Sequence, residues 1–397
     1  VLKIRKESGV LMGKTFEEIN EKIRNGTVVV ATAEEIIDIV EEMGIKEAAR
    51  KVDVVTTATF GPMCSSGAFL NFGHSDPPIR MCKIWLNDVP AYGGLAAVDT
   101  YIGATELSET KGMEYGGAHV IQDLVDGKKV RLVAKSYGTD CYPRLEIDTY
   151  ITLEDLNQAY LFNPRNVYQN YSAATNTSNK IMDTYMGTLL PQCGNVTYST
   201  SGELSPLLND PELRTIGIGT RIFLAGAQGY IAWEGTQFVL NREKIDEDTT
   251  MYSGATLAVI GNLKEMNSRY LRAASFNRYG TSMFVGIGIP IPVLDEEMME
   301  FLAVSNKDLY TNVVDYSVPS RSRPILRKVS YQELRSGSIE LNGKKVQTAP
   351  LSSLRRAREI ANLLKESIQN GQFLLQQPVQ PLPKDRTFNP LKDMVVK

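Results

Sequence analysis

Two cysteines stand where a packing residue has little reason to be. Cys64 lies in Thr59-Phe60-Gly61-Pro62-Met63-Cys64-Ser65-Ser66-Gly67, and Cys141 in Ser136-Tyr137-Gly138-Thr139-Asp140-Cys141-Tyr142-Pro143-Arg144. A thiol kept for packing normally sits inside an apolar run. Both of these instead follow β-branched runs (residues 52–59 and 130–133) and are bracketed by turn formers, the setting in which scaffolds expose reactive groups. The chemistry to expect is nucleophilic sulfur or redox exchange. Gly61-Pro62 and Ser65-Ser66-Gly67 could line up backbone N–H groups that favour a thiolate at Cys64. Arg144, three residues after Cys141, could lower a thiol pKa or grip a carboxylate. Cys82, in Ile79-Arg80-Met81-Cys82-Lys83-Ile84-Trp85, reads as strand-embedded and structural, whereas Cys193, in Pro191-Gln192-Cys193-Gly194, fits either role.

Proton transfer needs partners for those thiols. His74 sits in the polar turn Asn71-Phe72-Gly73-His74-Ser75-Asp76-Pro77-Pro78, and His119 follows the glycine pair of Gly116-Gly117-Ala118-His119. Either could protonate a carbonyl oxygen, and either could equally be a hydrogen-bonded structural histidine. Four Cys and two His with no Cys-x-x-Cys or His-x-x-x-His argue against a metal site. Gly217-Ile218-Gly219 and Gly286-Ile287-Gly288 are fragments of a dinucleotide fingerprint lacking its third glycine and its acidic partner, which turns or close backbone approaches explain as well. Ser65 and His74 permit a Ser-His-Asp reading, but no Gly-x-Ser-x-Gly supports it.

The elements that must position these residues read as a mixed α/β architecture with flanking helices, its strand order open. Thr15-Phe16-Glu17-Glu18 predicts a capping box, with Gly26 as the stop. Residues 27–31 predict a strand, a helix runs from the 32–35 cap to Gly44, and residues 52–59 form the next strand. Cys64 follows its carboxyl end, the edge where α/β sheets bind ligands. Residues 79–150 carry short strands between glycine pairs, with Asp126-Gly127 as a hairpin signal. Residues 153–170 return to a helical pattern, 215–239 and 257–289 are strand-rich, and 352–370 predict the last helix. The catalytic unit is expected over 1–376, possibly as two packed halves of about 1–170 and 171–376. Residues 377–397 predict a proline-bearing tail or linker.

The 397 residues are 43% hydrophobic and 22% charged, a globular composition. A net charge of −3 excludes a nucleic-acid partner held by phosphate neutralisation. The apolar stretches fall short of a membrane span, the first seven residues are charged too early for a secretory leader, and sparse cysteine usage fits a reducing cytoplasm. A homodimer is the default oligomer.

The blocks around Cys64, His74 and Cys141, together with Leu86-Asn87-Asp88-Val89-Pro90-Ala91-Tyr92-Gly93-Gly94 and Gly116-Gly117-Ala118-His119, closely resemble the homocysteine biosynthesis (L-aspartate semialdehyde sulfurtransferase) family. The resemblance implies incorporation of sulfide or persulfide sulfur into L-aspartate semialdehyde, and two functional cysteines matching Cys64 and Cys141. It also implies an external electron donor, a ferredoxin-like iron–sulfur protein, with no tightly bound cofactor. Many relatives add a C-terminal pair of CBS domains, and the proline-bearing tail here reads either as a cut linker to such a module or as the end of a member without it. The expected mechanism has Cys141 carry a persulfide that Cys64 resolves as a disulfide, or the same two residues in reversed roles. Arg80 or Arg144 would hold the substrate carboxylate, Asp99 or Glu114 its ammonium, and His74 or His119 would act as the acid. The reading from another class is a non-catalytic persulfide carrier or ligand-sensing module.

Overall fold

A computed structural model describes residues 13–247 and 249–392. The first seven residues and the 393–397 end of the tail lie outside the described residues. The mixed α/β class is borne out. A 14-stranded sheet dominates, a six-stranded sheet packs beside it, and helices flank both.

The large sheet is organised on its two longest apolar segments. Val54–Pro62 is buried over all but its last residue and pairs antiparallel with Gly280–Pro292 from Val54↔Pro292 to Pro62↔Phe284. Helix Leu354–Gln369 lies across this pair and buries Ala357, Ile360, Ala361, Leu364 and Ile368, the face its periodicity predicts. Gly286 and Gly288 let the helix approach, since a Cβ on Gly286 would meet Ile360 Cδ1 at 2.7 Å and one on Gly288 would meet Ile360 Cγ2 at 3.0 Å. Gly217 similarly faces the Gln380 carbonyl, 2.6 Å from where its Cβ would be. Both Gly-x-Gly fragments are therefore accounted for by close packing. At the N-terminus, Thr15 and Glu18 form the expected capping box on Phe16–Asn25, and Gly26 closes that helix at φ 69°.

The six-stranded sheet draws on Ala173–Thr175, Asn195–Tyr198, Tyr310–Asp315, Ile325–Ser330, Ser338–Leu341 and Lys344–Pro350, around a core of Val196, Tyr198, Val313, Val329 and Tyr331. The large sheet takes strands from both sides of residue 170. The layers are thus interleaved in sequence, and no boundary at 170 separates them.

Three sequence expectations are corrected. Residues 153–170 form no helix but contain the strand Gln158–Asn166, with Ala159, Leu161 and Asn163 buried at period two. Asp126-Gly127 ends helix Gly117–Val125 instead of turning a hairpin, because a left-handed glycine (φ 71°) stops helices as readily as it turns strands. The described part of the tail is docked. Gln380–Pro381 pairs with Gly217–Ile218, Leu382 is buried, and Arg386 bonds Glu234 at 2.9 Å.

Candidate active site

Where Val54–Pro62 ends, the chain turns through residues 63–66 before entering Gly67–Asn71 on the far side of Gln158–Asn166. Asn163, wholly buried, fixes this turn. Its Oδ1 accepts from Ser65 Oγ (2.7 Å) and from the Arg165 N–H (2.9 Å), while its Nδ2 donates to Ser66 Oγ (2.9 Å). Ser65 Oγ also reaches the Arg165 carbonyl and Ser66 Oγ the Met63 carbonyl, each at 2.8 Å. The Met63 and Ser66 amides are used by the Met283 and Met63 carbonyls, so neither joins the anion-favouring nest the glycines and serines suggested. Cys64 is left half-buried, its Sγ 3.1 Å from Ser282 Oγ and beside the Tyr279 phenol.

The sulfur faces a cavity of about 870 Å³ between the two sheets. Its walls carry Tyr168, Tyr171, Tyr185, Tyr279 and Tyr316, the guanidinium groups of Arg165, Arg321 and Arg323, and several serine, threonine and asparagine side chains. Tyr185 is the hub, its hydroxyl 2.8 Å from that of Tyr171 and 3.0 Å from that of Tyr316, with the Tyr279 ring 5.9 Å away. Arg323 lies 3.9 Å over the Tyr316 ring. Burial pushes the Tyr171, Tyr279 and Tyr316 phenols well above their ordinary value. The adjoining Cys64 sulfur adds to this at Tyr279, and neighbouring phenols add to it at the other two. These are neutral proton donors at physiological pH, aimed at a space next to a thiol. No carboxylate and no histidine lines that space among the described residues.

The other sequence candidates lie elsewhere. Cys141 is exposed in the loop between Val130–Lys135 and Glu146–Ile151, its Sγ 3.4 Å from Thr139 Oγ1. Register places that loop. Phe69 faces Tyr101, Tyr101 faces Tyr92, Tyr92 faces Lys83, and Lys83 faces Lys135. The chain leaves past Lys135, at the Asn71 end of Gly67–Asn71, whereas Cys64 precedes Gly67 at the opposite end. Lys135 already lies two residue steps, about 7 Å, from the level of Gly67, the loop runs on away from it, and four strand spacings of about 4.8 Å intervene laterally. A disulfide requires Cα atoms within about 7 Å. The structure does not bring Cys64 and Cys141 together, and all four cysteines are free.

Around Cys141, His74 stacks on Tyr142 at 6.0 Å, Arg80 donates to the Tyr137 hydroxyl, and Arg144 donates to the Glu146 carbonyl. Asp99 accepts from Asn71, and Glu114 is exposed. His119 caps its own helix. Its Nδ1 accepts the Gly116 N–H at 3.2 Å, its ring stacks on Tyr115, and burial lowers its pKa. None of these six lines the cavity. Cys82 precedes its strand with Sγ toward the Arg80 carbonyl, and Cys193 is buried in the core of the small sheet. Sequence reasoning missed the tyrosines and arginines of the wall. Tyr168-Gln169-Asn170-Tyr171-Ser172 and Arg321-Ser322-Arg323, polar aromatic and cationic runs flanking strands, were the available signal.

Residues 28–375 match the model of a family described as homocysteine biosynthesis enzyme, sulfur-incorporation. The chain belongs to this family. As a member of the homocysteine biosynthesis family it is an enzyme of sulfur incorporation. It is 56% identical over 382 residues to the L-aspartate semialdehyde sulfurtransferase of Methanosarcina acetivorans, covering 96% of this chain and 74% of that protein. It is 53% identical over 384 residues to the protein of the same name from Methanocaldococcus jannaschii, covering 93% and 73%. An uncharacterized protein of Methanothermobacter thermautotrophicus is 31% identical over 83% of this chain and 74% of its own length. No solved structure matches. Among the described residues no helix is long and apolar enough to cross a membrane, and no three His, Cys, Asp or Glu side chains are grouped to hold a metal ion.

Proposed function

We propose that the chain converts L-aspartate semialdehyde to L-homocysteine in the cavity between the sheets, with Cys64 carrying the incoming sulfur as a persulfide. The observation that carries this reading is a half-buried thiol facing a roomy, polar, proton-donating chamber, in a chain whose relatives bear that activity in their name. Such a chamber favours a substrate site over the surface of a simple sulfur carrier.

The terminal persulfide sulfur attacks the aldehyde carbon, forming the C–S bond, and the carbonyl oxygen takes a proton from a phenol of the Tyr279–Tyr185 group. A thiolate then attacks Cys64 Sγ, breaking the S–S bond and releasing the substrate-bound sulfur as a thiolate. Loss of hydroxide leaves a thioaldehyde, and addition of two electrons and two protons gives the thiol. From zero-valent sulfur the conversion consumes four electrons and four protons in all. Two electrons come from the thiol pair that becomes a disulfide and two from an external reductant. Starting from sulfide, two electrons suffice overall, because the persulfide then forms when sulfide attacks a Cys64 mixed disulfide and displaces the partner thiol. The separation of Cys64 from Cys141 favours Cys64 as carrier and a resolving thiol that arrives from outside the cavity. Exposed Cys141 remains reachable by a macromolecular sulfur donor or by an iron–sulfur electron donor.

Protein incubated with L-aspartate semialdehyde, a persulfide donor and a chemical reductant should form homocysteine, and Cys64→Ser should abolish it. Formation at the wild-type rate by Cys64→Ser protein would end the reading. Absence of aspartate semialdehyde binding by calorimetry would favour the carrier instead.

A further inference from the structure

The charge balance of the cavity says which end of the substrate it can hold. Its wall carries Arg165, Arg321 and Arg323 and no acidic side chain among the described residues. The recorded partners of these guanidinium groups are neutral. Arg165 donates to Thr236 Oγ1 and Gln237 Oε1, Arg321 donates to Gln237 Oε1, and Arg323 lies over the Tyr316 ring. The Nε of Arg323 is buried with no hydrogen-bond partner, an unmet donor in the wall. The nearest carboxylate in sequence, Asp315, belongs to the strand that supplies Val314 to the lining but is taken by Thr177 and Ser317.

An anionic group entering this chamber meets preorganised charge-assisted donors, whereas an ammonium meets three like charges and no counter-charge. Only phenol rings and neutral hydroxyl and amide oxygens are left to receive it, and those contacts are weak beside an ion pair. Resting on the reading of this cavity as the aldehyde site, we infer that it recognises its substrate through the carboxylate and not through the α-ammonium. ω-Oxo carboxylates that lack the amino group are therefore substrates too. The simplest is 4-oxobutanoate, which would give 4-sulfanylbutanoate by the same steps and the same balance of sulfur, electrons and protons.

Three aldehydes compared on the wild-type enzyme, under one regime of persulfide donor and reductant, test this. 4-Oxobutanoate should have kcat/KM within about tenfold of aspartate semialdehyde, the span a lost ammonium–ring contact can account for. 3-Aminopropanal, which keeps the ammonium and lacks the carboxylate, should fall at least about a hundredfold below it, as expected when one partner of a buried charge pair is removed. Arg323→Gln should raise KM for both carboxylates and not for 3-aminopropanal. If aspartate semialdehyde is converted but 4-oxobutanoate is about a hundredfold poorer, or if 3-aminopropanal matches it, the inference is wrong while the site assignment stands. If neither carboxylate aldehyde is converted, the site assignment itself fails.

Discussion

Replacing Asn163 by alanine should loosen the reactive turn, although Asn163 does not itself line the cavity. The side chain makes three hydrogen bonds in a fully buried position, to Ser65 Oγ, Ser66 Oγ and the Arg165 N–H. At 0.5–1.5 kcal/mol each they sum to about 3 kcal/mol. Two effects then oppose each other. Ser65 and Ser66 keep the hydrogen bonds they donate to the Arg165 and Met63 carbonyls, which offsets part of the loss. The Arg165 N–H keeps nothing and is orphaned, which restores about 1–3 kcal/mol of cost. A net destabilisation of about 3 kcal/mol is expected, read by urea unfolding monitored at two independent probes. Because a reacting atom displaced by about 1 Å can lose about a hundredfold in rate, kcat should fall much more than KM rises. A cycle with Ser66→Ala should show coupling of about 1 kcal/mol. Asn163→Ala protein within about 0.5 kcal/mol of wild type, with kcat unchanged, would refute the claim that this residue sets the position of Cys64.

Other consequences follow from the same geometry. Tyr185→Phe leaves the Tyr171 and Tyr316 hydroxyls without their shared partner, so a stability loss of about 2 kcal/mol and a reduced kcat are expected from unfolding and steady-state assays. The Tyr171, Tyr279 and Tyr316 phenols, raised above their ordinary 10.0, should stay protonated while the unfolded chain ionises; stability is therefore complete below pH 10 and falls as pH rises beyond it, checked by unfolding across alkaline pH with phenolate absorbance. Glu359 is held down to about 2 from an ordinary 4.5, chiefly by Arg269, with Tyr270 and Arg356 adding to it. Its contribution is present above pH 4.5 and lost as pH falls toward 2, so Glu359→Gln should cost about 1 kcal/mol at neutral pH and flatten the acid limb of the stability profile. Alkylation followed by peptide mapping should label exposed Cys141 first and buried Cys193 last, with no Cys64–Cys141 crosslink after mild oxidation of a single chain.

What could be read from the chain was what local periodicity encodes. The Thr15–Glu18 cap, the strand leading to Cys64 and the face of helix Leu354–Gln369 are written in neighbouring residues, and each forms where expected. Asn163 was hidden because Phe162-Asn163-Pro164-Arg165 lies inside a stretch whose apolar spacing also fits a helix. Only the pairing with Gly67–Asn71 settles the period as two. Cys64 was legible as a reactive thiol from its turn, but which groups surround it depends on a second sheet assembled from residues 173–198 and 310–350. No local pattern joins Tyr171, Tyr185, Tyr279 and Tyr316, which meet through strand order alone. The same long-range register separates Cys141, His74 and Arg144 from the cavity, whereas the mechanism the resemblance implied has them act in one site.

The central claim is that the reacting sulfur is held on Cys64. Protein loaded with a persulfide donor, quenched by alkylation and digested should carry the extra sulfur atom on the Cys64 peptide, and that label should disappear as homocysteine forms on addition of aspartate semialdehyde and reductant. Sulfur found on Cys141 with Cys64 bare, and discharged to product at the same rate in Cys64→Ser protein, would contradict the account.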